Sequence, residues 1–211
     1  TEECDRAREA AEVALRKYPA HEEALAALAA VHYFTEDTAA YRRVRDRALE
    51  LHPGYAGFFT TLAEIAERQR RYHAAVGLAR EAVERDPDAP RALGVLGMNE
   101  LRTGAIAEGR GHLERAFELD PYNPWYKNSL DLLDTFDRYE TVTTEHFEIF
   151  LRGDEAELLA PYVGDVAEEA YAALAARYGA EPPTPVRLEL FPSHADFSVR
   201  TLGLVGLGAL G

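Results

Sequence analysis

The histidines are the side chains with which this chain could hold a metal ion. One of them, His21, is followed by a glutamate, as in a known zinc-binding motif. His21-Glu22-Glu23-Ala24-Leu25 begins like the HExxH motif, in which two histidines on one helical face bind zinc and the glutamate acts on a bound water molecule. Leu25 occupies the position of the second histidine, so no zinc site is expected here. His146 is expected to begin a strand and His194 to follow a helix cap, both in structural roles.

Other catalytic patterns are also missing from the sequence. No glycine-rich stretch has the GxGxxG or GxxxxGK spacing that cradles phosphates, and Ser129 and Ser193 lack the context of a nucleophile elbow. Cys4 is the only cysteine, which excludes an internal disulfide and a cysteine-based zinc cluster. We therefore predict no catalytic, cofactor-binding or metal-binding residue within this chain.

The composition is that of a globular protein with an acidic surface. The chain has 211 residues, of which 47% are hydrophobic and 28% charged, and its formal net charge is -14. Acidic residues are spread along the chain without a basic patch, which argues against binding to nucleic acid. No apolar run is long enough for a membrane span. The composition leaves the compartment open between cytoplasm and periplasm.

A regular period organises the first two-thirds of the chain. Pro19, Pro53, Pro87 and Pro121 recur every 34 residues, each closing a similar phrase such as EAVERDP. This period predicts three helix-turn-helix repeats (22–55, 56–89 and 90–123), preceded by a half repeat in residues 1–21. Residues 124–139 are expected to form a capping helix, which completes a helical solenoid over 1–139. Such repeats present an extended surface rather than a catalytic pocket.

These residues resemble the tetratricopeptide repeat (TPR) family. Leu28, Leu62 and Leu96 each precede a small residue, as the family pattern requires, whereas His32 and Glu100 stand where an aromatic residue is usual. The resemblance implies a concave face that binds a protein or peptide, or packs against the protein's own C-terminal domain. It places this face at Tyr33, Phe34, Thr60, Glu64, Glu67, Arg68, Arg91, Met98, Leu101 and Arg102.

The last third has a different pattern. An alternating segment at 146–151 predicts a strand, residues 155–178 predict a long helix ended by Gly179, and 186–191 predict a second strand. Ser193 and Asp196 are expected to cap a short helix. The order strand, helix, strand predicts an incomplete α/β unit over 140–211, so the fold class is mainly α with a β-α-β unit. The apolar, glycine-rich end, TLGLVGLGALG, is expected to be a loop and nascent strand without its covering partner.

A second resemblance concerns residues 144–211. The segment order and the phrases LFPSHADF and TLGLVGLGALG resemble the beginning of a peptidase MA-like domain of the gluzincin metallopeptidases, which in bacterial proteins commonly follows tetratricopeptide repeats. Members of that family carry HExxH further along, beyond the position of Gly211. The chain also opens inside a helix without an initiator methionine, which suggests a piece of a longer protein.

Together the two resemblances imply a protein-interaction scaffold attached to the non-catalytic opening of a zinc peptidase-like domain. Two alternatives remain open. The complete protein could be an active zinc peptidase whose catalytic residues lie beyond Gly211, or a non-catalytic adaptor whose peptidase-like domain has lost its metal ligands.

Overall fold

The computed structural model describes residues 2–206 and confirms a mainly α fold with a small sheet near the C-terminus. The chain divides into two compact units between Tyr122 and Asn123. The first unit is entirely helical in its described residues. It contains α1 (Glu2–Lys17), α2 (Glu22–Phe34), α3 (Thr38–Leu51), α4 (Ala56–Arg68), α5 (Tyr72–Arg85), α6 (Pro90–Arg102) and α7 (Ile106–Leu119).

The helices of the first unit follow the period of the sequence. α2, α4 and α6 begin at Glu22, Ala56 and Pro90, and each packs against the next helix along the chain to form a pair. We refer to α2, α4 and α6 as the first helices of the three pairs. They also pack against one another in succession, α2 on α4 and α4 on α6. The repeat therefore places equivalent side chains of successive pairs side by side.

The turn inside each helix pair has the same backbone conformation. Glu36, Arg70 and Gly104 follow the first helix of each pair, and their φ angles are 62°, 59° and 91°. This left-handed region favours glycine, because a Cβ atom there approaches the following carbonyl oxygen. Only the third turn uses glycine, so the first two turns hold Glu36 and Arg70 in a disfavoured conformation.

The core of the first unit is built from leucines and small residues in phase with the repeat. Leu62 and Leu96 are at most 1% exposed, and Ala48, Ala82 and Ala116 are at most 2% exposed. Small residues permit close helix approach, most clearly between α6 and α7. A Cβ atom on Gly97 would lie 2.8 Å from the carbonyl oxygen of Gly109. The small residues at Gly97 and Gly109 thus set how closely α6 and α7 pack.

The second unit combines three helices with a three-stranded sheet. Its elements are α8 (Pro124–Leu133), a 3-10 turn (Phe136–Arg138), β1 (Tyr139–Thr143), β2 (Phe147–Arg152), α9 (Gly153–Tyr178), β3 (Val186–Glu189) and α10 (His194–Leu202). The strand order is β1-β2-β3, with β1 antiparallel and β3 parallel to β2. Ile149, Leu151, Ala156 and Ala160 form the core between β2 and α9. The expected strand-helix-strand order is present.

Strand β1 is an addition to that order. The sequence interpretation ended a helix at residue 139, whereas α8 ends at Leu133 and Tyr139 already pairs with Arg152 on β2. β1 is an edge strand with a largely exposed face, so its sequence lacks the apolar run that marks buried strands. Only pairing with β2 defines it.

Helix α8 has the expected N-terminus but not the expected length. The side chain of Asn123 accepts a hydrogen bond from the backbone NH of Trp125 (3.1 Å), and Pro124 is the first helical residue. α8 packs against α10, and the Asn128 side chain donates to the carbonyl of Gly203 (3.2 Å). The role of residues 124–139 as the cap of the solenoid stays a prediction.

The glycine-rich end is only partly described. Gly203 ends α10 in the left-handed conformation (φ 76°), and residues 204–206 continue into a turn in which Val205 is 61% exposed. The predicted cap of α10 is present, because the Ser193 hydroxyl accepts from the backbone NH of Asp196 (3.1 Å). The nascent strand, with Leu207 and Leu210, lies outside the described residues.

Candidate protein-binding face

The predicted binding residues lie on α2, α4 and α6, the three first helices that pack side by side. We call this surface the first-helix face and define it by the ten residues predicted from the repeat pattern: Tyr33, Phe34, Thr60, Glu64, Glu67, Arg68, Arg91, Met98, Leu101 and Arg102.

Four charged residues of this face form ion pairs between α4 and α6. The Arg91 guanidinium donates from Nε and Nη2 to the two oxygens of Glu64, each at 2.6 Å. Arg102 Nη1 donates to Glu67 Oε1 at 2.6 Å. Such charge-assisted contacts fix the position of both side chains, and the first of them is bidentate. The face therefore presents charges that are held in place before any partner arrives.

The uncharged residues of the face divide into half-buried and buried ones. Tyr33, Phe34 and Met98 are half-buried and contribute to the surface. Thr60 is only 2% exposed, and its hydroxyl donates to the carbonyl of Ala56 within α4 (2.9 Å). Leu101 is 4% exposed and lies in the α6–α7 contact beside Gly109. Thr60 and Leu101 therefore lie beneath the first-helix face and offer almost no exposed surface to a partner.

The buried carboxyl group of Glu100 stands where the family pattern has an aromatic residue, and this departure is the only sign of it in the sequence. The Glu100 side chain is 3% exposed and accepts hydrogen bonds from His112 Nδ1 on α7 (2.6 Å) and Arg80 on α5 (3.3 Å). It replaces the usual aromatic residue and links α6 to α5 and α7 by hydrogen bonds. The departure at position 100 was the signal, but its partners 20 residues before and 12 after could not be identified from the sequence.

A second feature corrects the expectation that the chain has no basic patch. A cleft of about 390 Å³ at the turn between α4 and α5 is lined by cationic side chains and contains no acidic residue in its lining. We call it the α4–α5 cleft and define it by Arg70, Arg71, Tyr72, His73, Ala74, Arg102 and Thr103. Arg70, Arg71 and His73 are already close together in the sequence, and the packing of α6 beside this turn adds Arg102.

Several histidines of the described chain each contact a carboxylate, at separate places in the chain. His21 contacts Glu23 (3.0 Å), His52 contacts Glu22 (3.2 Å) and His146 contacts Glu168 (2.6 Å). Within residues 2–206, no three His, Cys, Asp or Glu side chains converge to hold a metal ion.

The contact between Glu168 and His146 belongs to a larger cluster of hydrogen bonds. Its carboxylate accepts from the Thr144 hydroxyl (2.5 Å), from the backbone NH of His146 (2.9 Å) and from His146 Nδ1 (2.6 Å). These hydrogen bonds, that of Thr144 foremost, lower the pKa of Glu168 to about 2. The imidazole of His146 also stacks on Tyr171, with ring centroids 4.0 Å apart. This cluster ties the β1–β2 turn to α9.

Comparison with known proteins gives fold-level similarity only. No protein-family model matches the chain, and no curated protein sequence matches it significantly. Among solved structures, the MamA RS-1 ArsTM double mutant aligns over 63% of this chain and 74% of its own, with 19% identity and a TM-score of 0.44. YrrB, described as a TPR protein with an unusual peptide-binding site, aligns over 64% and 69%, with 18% identity and a TM-score of 0.41. Among the helices of residues 2–206, none combines the length and the apolar composition that a membrane span requires.

Proposed function

We propose that this chain is a protein-interaction scaffold whose first-helix face holds a segment of a partner protein. The observation that carries this proposal is the pair of fixed ion pairs, Glu64–Arg91 and Glu67–Arg102, which join adjacent first helices. A partner meets charges that are already ordered, so little side-chain entropy is lost when it binds.

The surface around these pairs suits a peptide of mixed character. Tyr33, Phe34 and Met98 offer partly exposed apolar groups, and methionine and aromatic side chains are enriched at the centres of protein interfaces. Glu64 remains partly exposed beside Arg91, whose side chain is 62% exposed. A bound segment would therefore place apolar side chains on α2 and α6 and polar groups near α4.

Selection of peptides from a random phage-displayed library tests the proposal. The immobilised 211-residue chain should enrich peptides that bind with micromolar or tighter affinity in solution. The triple variant Glu64→Gln/Arg91→Gln/Met98→Gln keeps the net charge and removes the face chemistry, and it should weaken these peptides about tenfold or more.

The matched control changes a pair of opposite charges away from the face. Arg110 and Glu114 form an ion pair on α7 (2.8 Å), so Arg110→Gln/Glu114→Gln should leave peptide affinity unchanged. Failure to enrich any peptide, or equal binding by the triple variant, would overturn the proposed face.

A second candidate function follows from the arrangement of the second unit. The order β2-α9-β3, with the two strands parallel, supports the proposal that this unit opens a peptidase MA-like domain in a longer natural protein. On this proposal the repeats recruit a protein substrate and the zinc ligands lie beyond Gly211. The alternative is a non-catalytic adaptor.

Metal analysis separates these two versions. The 211-residue chain should purify without stoichiometric zinc, because its described residues contain no three-ligand group. About one tightly held zinc per longer natural chain, together with an encoded HExxH, would favour the peptidase. A longer chain without zinc and without proteolytic activity would favour the adaptor, and about one zinc in residues 1–211 would contradict both.

A further inference from the structure

The α4–α5 cleft has features that the proposed binding face does not explain. Four of its seven lining residues, Arg70, Arg71, His73 and Arg102, carry cationic or protonatable side chains in a protein of net charge -14. A concentration of positive charge in an acidic protein is electrostatically unusual, since the surrounding carboxylates would be expected to pair with it.

The cations of the cleft are mostly unpaired. Among residues 2–206, no carboxylate lies within ion-pair distance of Arg70, Arg71 or His73. Arg102 is held by Glu67 at 2.6 Å and by contact with the ring of Tyr72, 5.4 Å from its centroid. Glu67 neutralises part of the charge of Arg102 but also fixes the guanidinium beside the cleft. Arg71 lies over the ring of Phe34 at 5.5 Å.

The backbone adds a second source of positive potential. The cleft contains the first residues of α5, a helix of 14 residues. Its N-cap residue, Arg71, makes no side-chain cap hydrogen bond, and the same is true of Ala105 at the equivalent helix α7. Uncapped NH groups at a helix N-terminus attract anions. The arginine side chains and the helix end therefore favour the same kind of ligand.

We infer that the α4–α5 cleft binds an anionic side chain of a partner segment, a carboxylate or a phosphate, at the edge of the first-helix face. Arginine forks match the oxygens of both groups. A short anionic segment fits better than a polyanion, because a nucleic acid or an anionic membrane would be repelled by the rest of this acidic surface. Arg102 belongs to both the cleft and the face, so one peptide could contact both. The inference deepens the proposed function, since it names the chemistry of the partner.

The test uses the complete 211-residue chain and two labelled probes. One is a fluorescein-labelled peptide of four Gly-Glu units, the other has phosphoserine in place of glutamate, and a Gly-Lys peptide is the negative control. Fluorescence anisotropy at low ionic strength should show saturable binding of at least one anionic probe and none of the Gly-Lys peptide. Tighter binding of one anionic probe tells which anion the cleft prefers.

Arg70→Gly is the most informative variant, because it removes a charge from the cleft and relieves the backbone. Arg70 has a φ of 59°, so glycine there should leave thermal stability unchanged or raise it. Affinity for the anionic probe should nevertheless fall about threefold or more, and at least tenfold in Arg70→Gly/Arg71→Gln. This separates binding from folding.

The control variant makes the same change in net charge elsewhere. Arg42 and Arg43 are adjacent, exposed residues of α3. Arg42→Gln/Arg43→Gln should therefore reduce affinity for the anionic probe much less than Arg70→Gly/Arg71→Gln does. Equal losses in the two double variants, or no saturable binding of either anionic probe, would overturn the cleft. If peptides selected on the first-helix face bind the cleft variants as tightly as the wild type, only the inference about the cleft is contradicted. The proposed function of the face is then unaffected.

Discussion

At the scale of single residues, the clearest electrostatic signature is the carboxylate of Glu168. Three hydrogen bonds, from Thr144, from the His146 backbone and from the His146 ring, favour its charged form and hold its pKa near 2. In the unfolded chain these hydrogen bonds are lost, and the pKa of Glu168 returns to its ordinary value of 4.5. The pKa of Glu168 is lower in the folded than in the unfolded chain, so this carboxylate stabilises the second unit fully above about pH 4.5. The contribution is lost as pH falls from about 4.5 towards 2.

We expect Glu168→Gln to destabilise the second unit at pH 7, with a difference from the wild type that shrinks as pH falls through this window. Trp125, the only tryptophan, lies in the second unit, so its fluorescence during urea unfolding reports on that unit. Glu169→Gln removes the neighbouring exposed charge and serves as the control. A wild-type-to-variant difference that stays constant between pH 7 and pH 3 would contradict the proposed role of Glu168.

Glu100 gives a second prediction at this scale. Its buried carboxylate accepts from His112 and Arg80, and hydrogen bonds to a charged group contribute more than neutral ones. We expect Glu100→Gln to destabilise the first unit by about 1–3 kcal/mol, because the amide satisfies both donors less well. Circular dichroism at 222 nm during urea unfolding measures it. Glu118→Gln on exposed α7 surface should change stability by less than about 0.5 kcal/mol, and an equal effect of both variants would refute the role of Glu100.

At the scale of elements, the close approach of α6 and α7 depends on two glycines. Gly97 on α6 and Gly109 on α7 face each other, and a Cβ atom on either would lie 2.8 Å from the other's carbonyl oxygen. Backbone atoms cannot move aside as a flexible side chain can, so a methyl group here requires the helices to separate. Glycine otherwise lowers helix stability, and its presence in both helices is explained by this contact.

Gly97→Ala is expected to destabilise the first unit by about 1–3 kcal/mol through overpacking. Gly111→Ala is the matched control, since it lies on α7 with nothing within 4 Å of the added Cβ atom. That variant should stabilise the unit by about 0.5–1 kcal/mol, because alanine favours the helix. Urea unfolding followed by circular dichroism gives the change in the free energy of unfolding for each variant. The two changes should have opposite signs. A stabilised Gly97→Ala would show that α6 and α7 are not in contact there.

At the scale of the whole molecule, the division between Tyr122 and Asn123 separates two cores. One core runs through α2 to α6 around Leu25, Phe59, Leu62 and Leu96, and the other lies between β2 and α9. Each unit thus has its own hydrophobic core, which is the physical requirement for independent folding. Repeat units contact mainly their neighbours, so the first unit depends chiefly on its own helices.

We therefore predict that residues 1–122 fold without the rest of the chain. The fragment should be monomeric, give a helical circular dichroism spectrum and unfold cooperatively in urea. A fragment of residues 1–105, which lacks the α7 partner of α6, should be clearly less stable and is the comparison. A disordered 1–122 fragment beside a folded 211-residue chain would show that α8 and the following residues are needed, as expected if residues 124–139 cap the repeats.

The sequence alone determined the periodic part of this protein. A 34-residue spacing of prolines, leucines and small residues predicts where α2, α4 and α6 begin, because each repeat must bury the same face against its neighbours. Similarly, the long helix α9 and its cap at Gly179 follow from local periodicity and turn chemistry. What tertiary structure decided are the contacts between residues far apart in the chain. β1 exists through pairing with β2, and Glu100 accepts hydrogen bonds from α5 and α7. Thr60 and Leu101 are buried by packing, and Arg102 joins Arg70 and Arg71 only where α6 lies beside the α4–α5 turn. These contacts depend on how whole elements pack, and no local pattern of residue types records that packing.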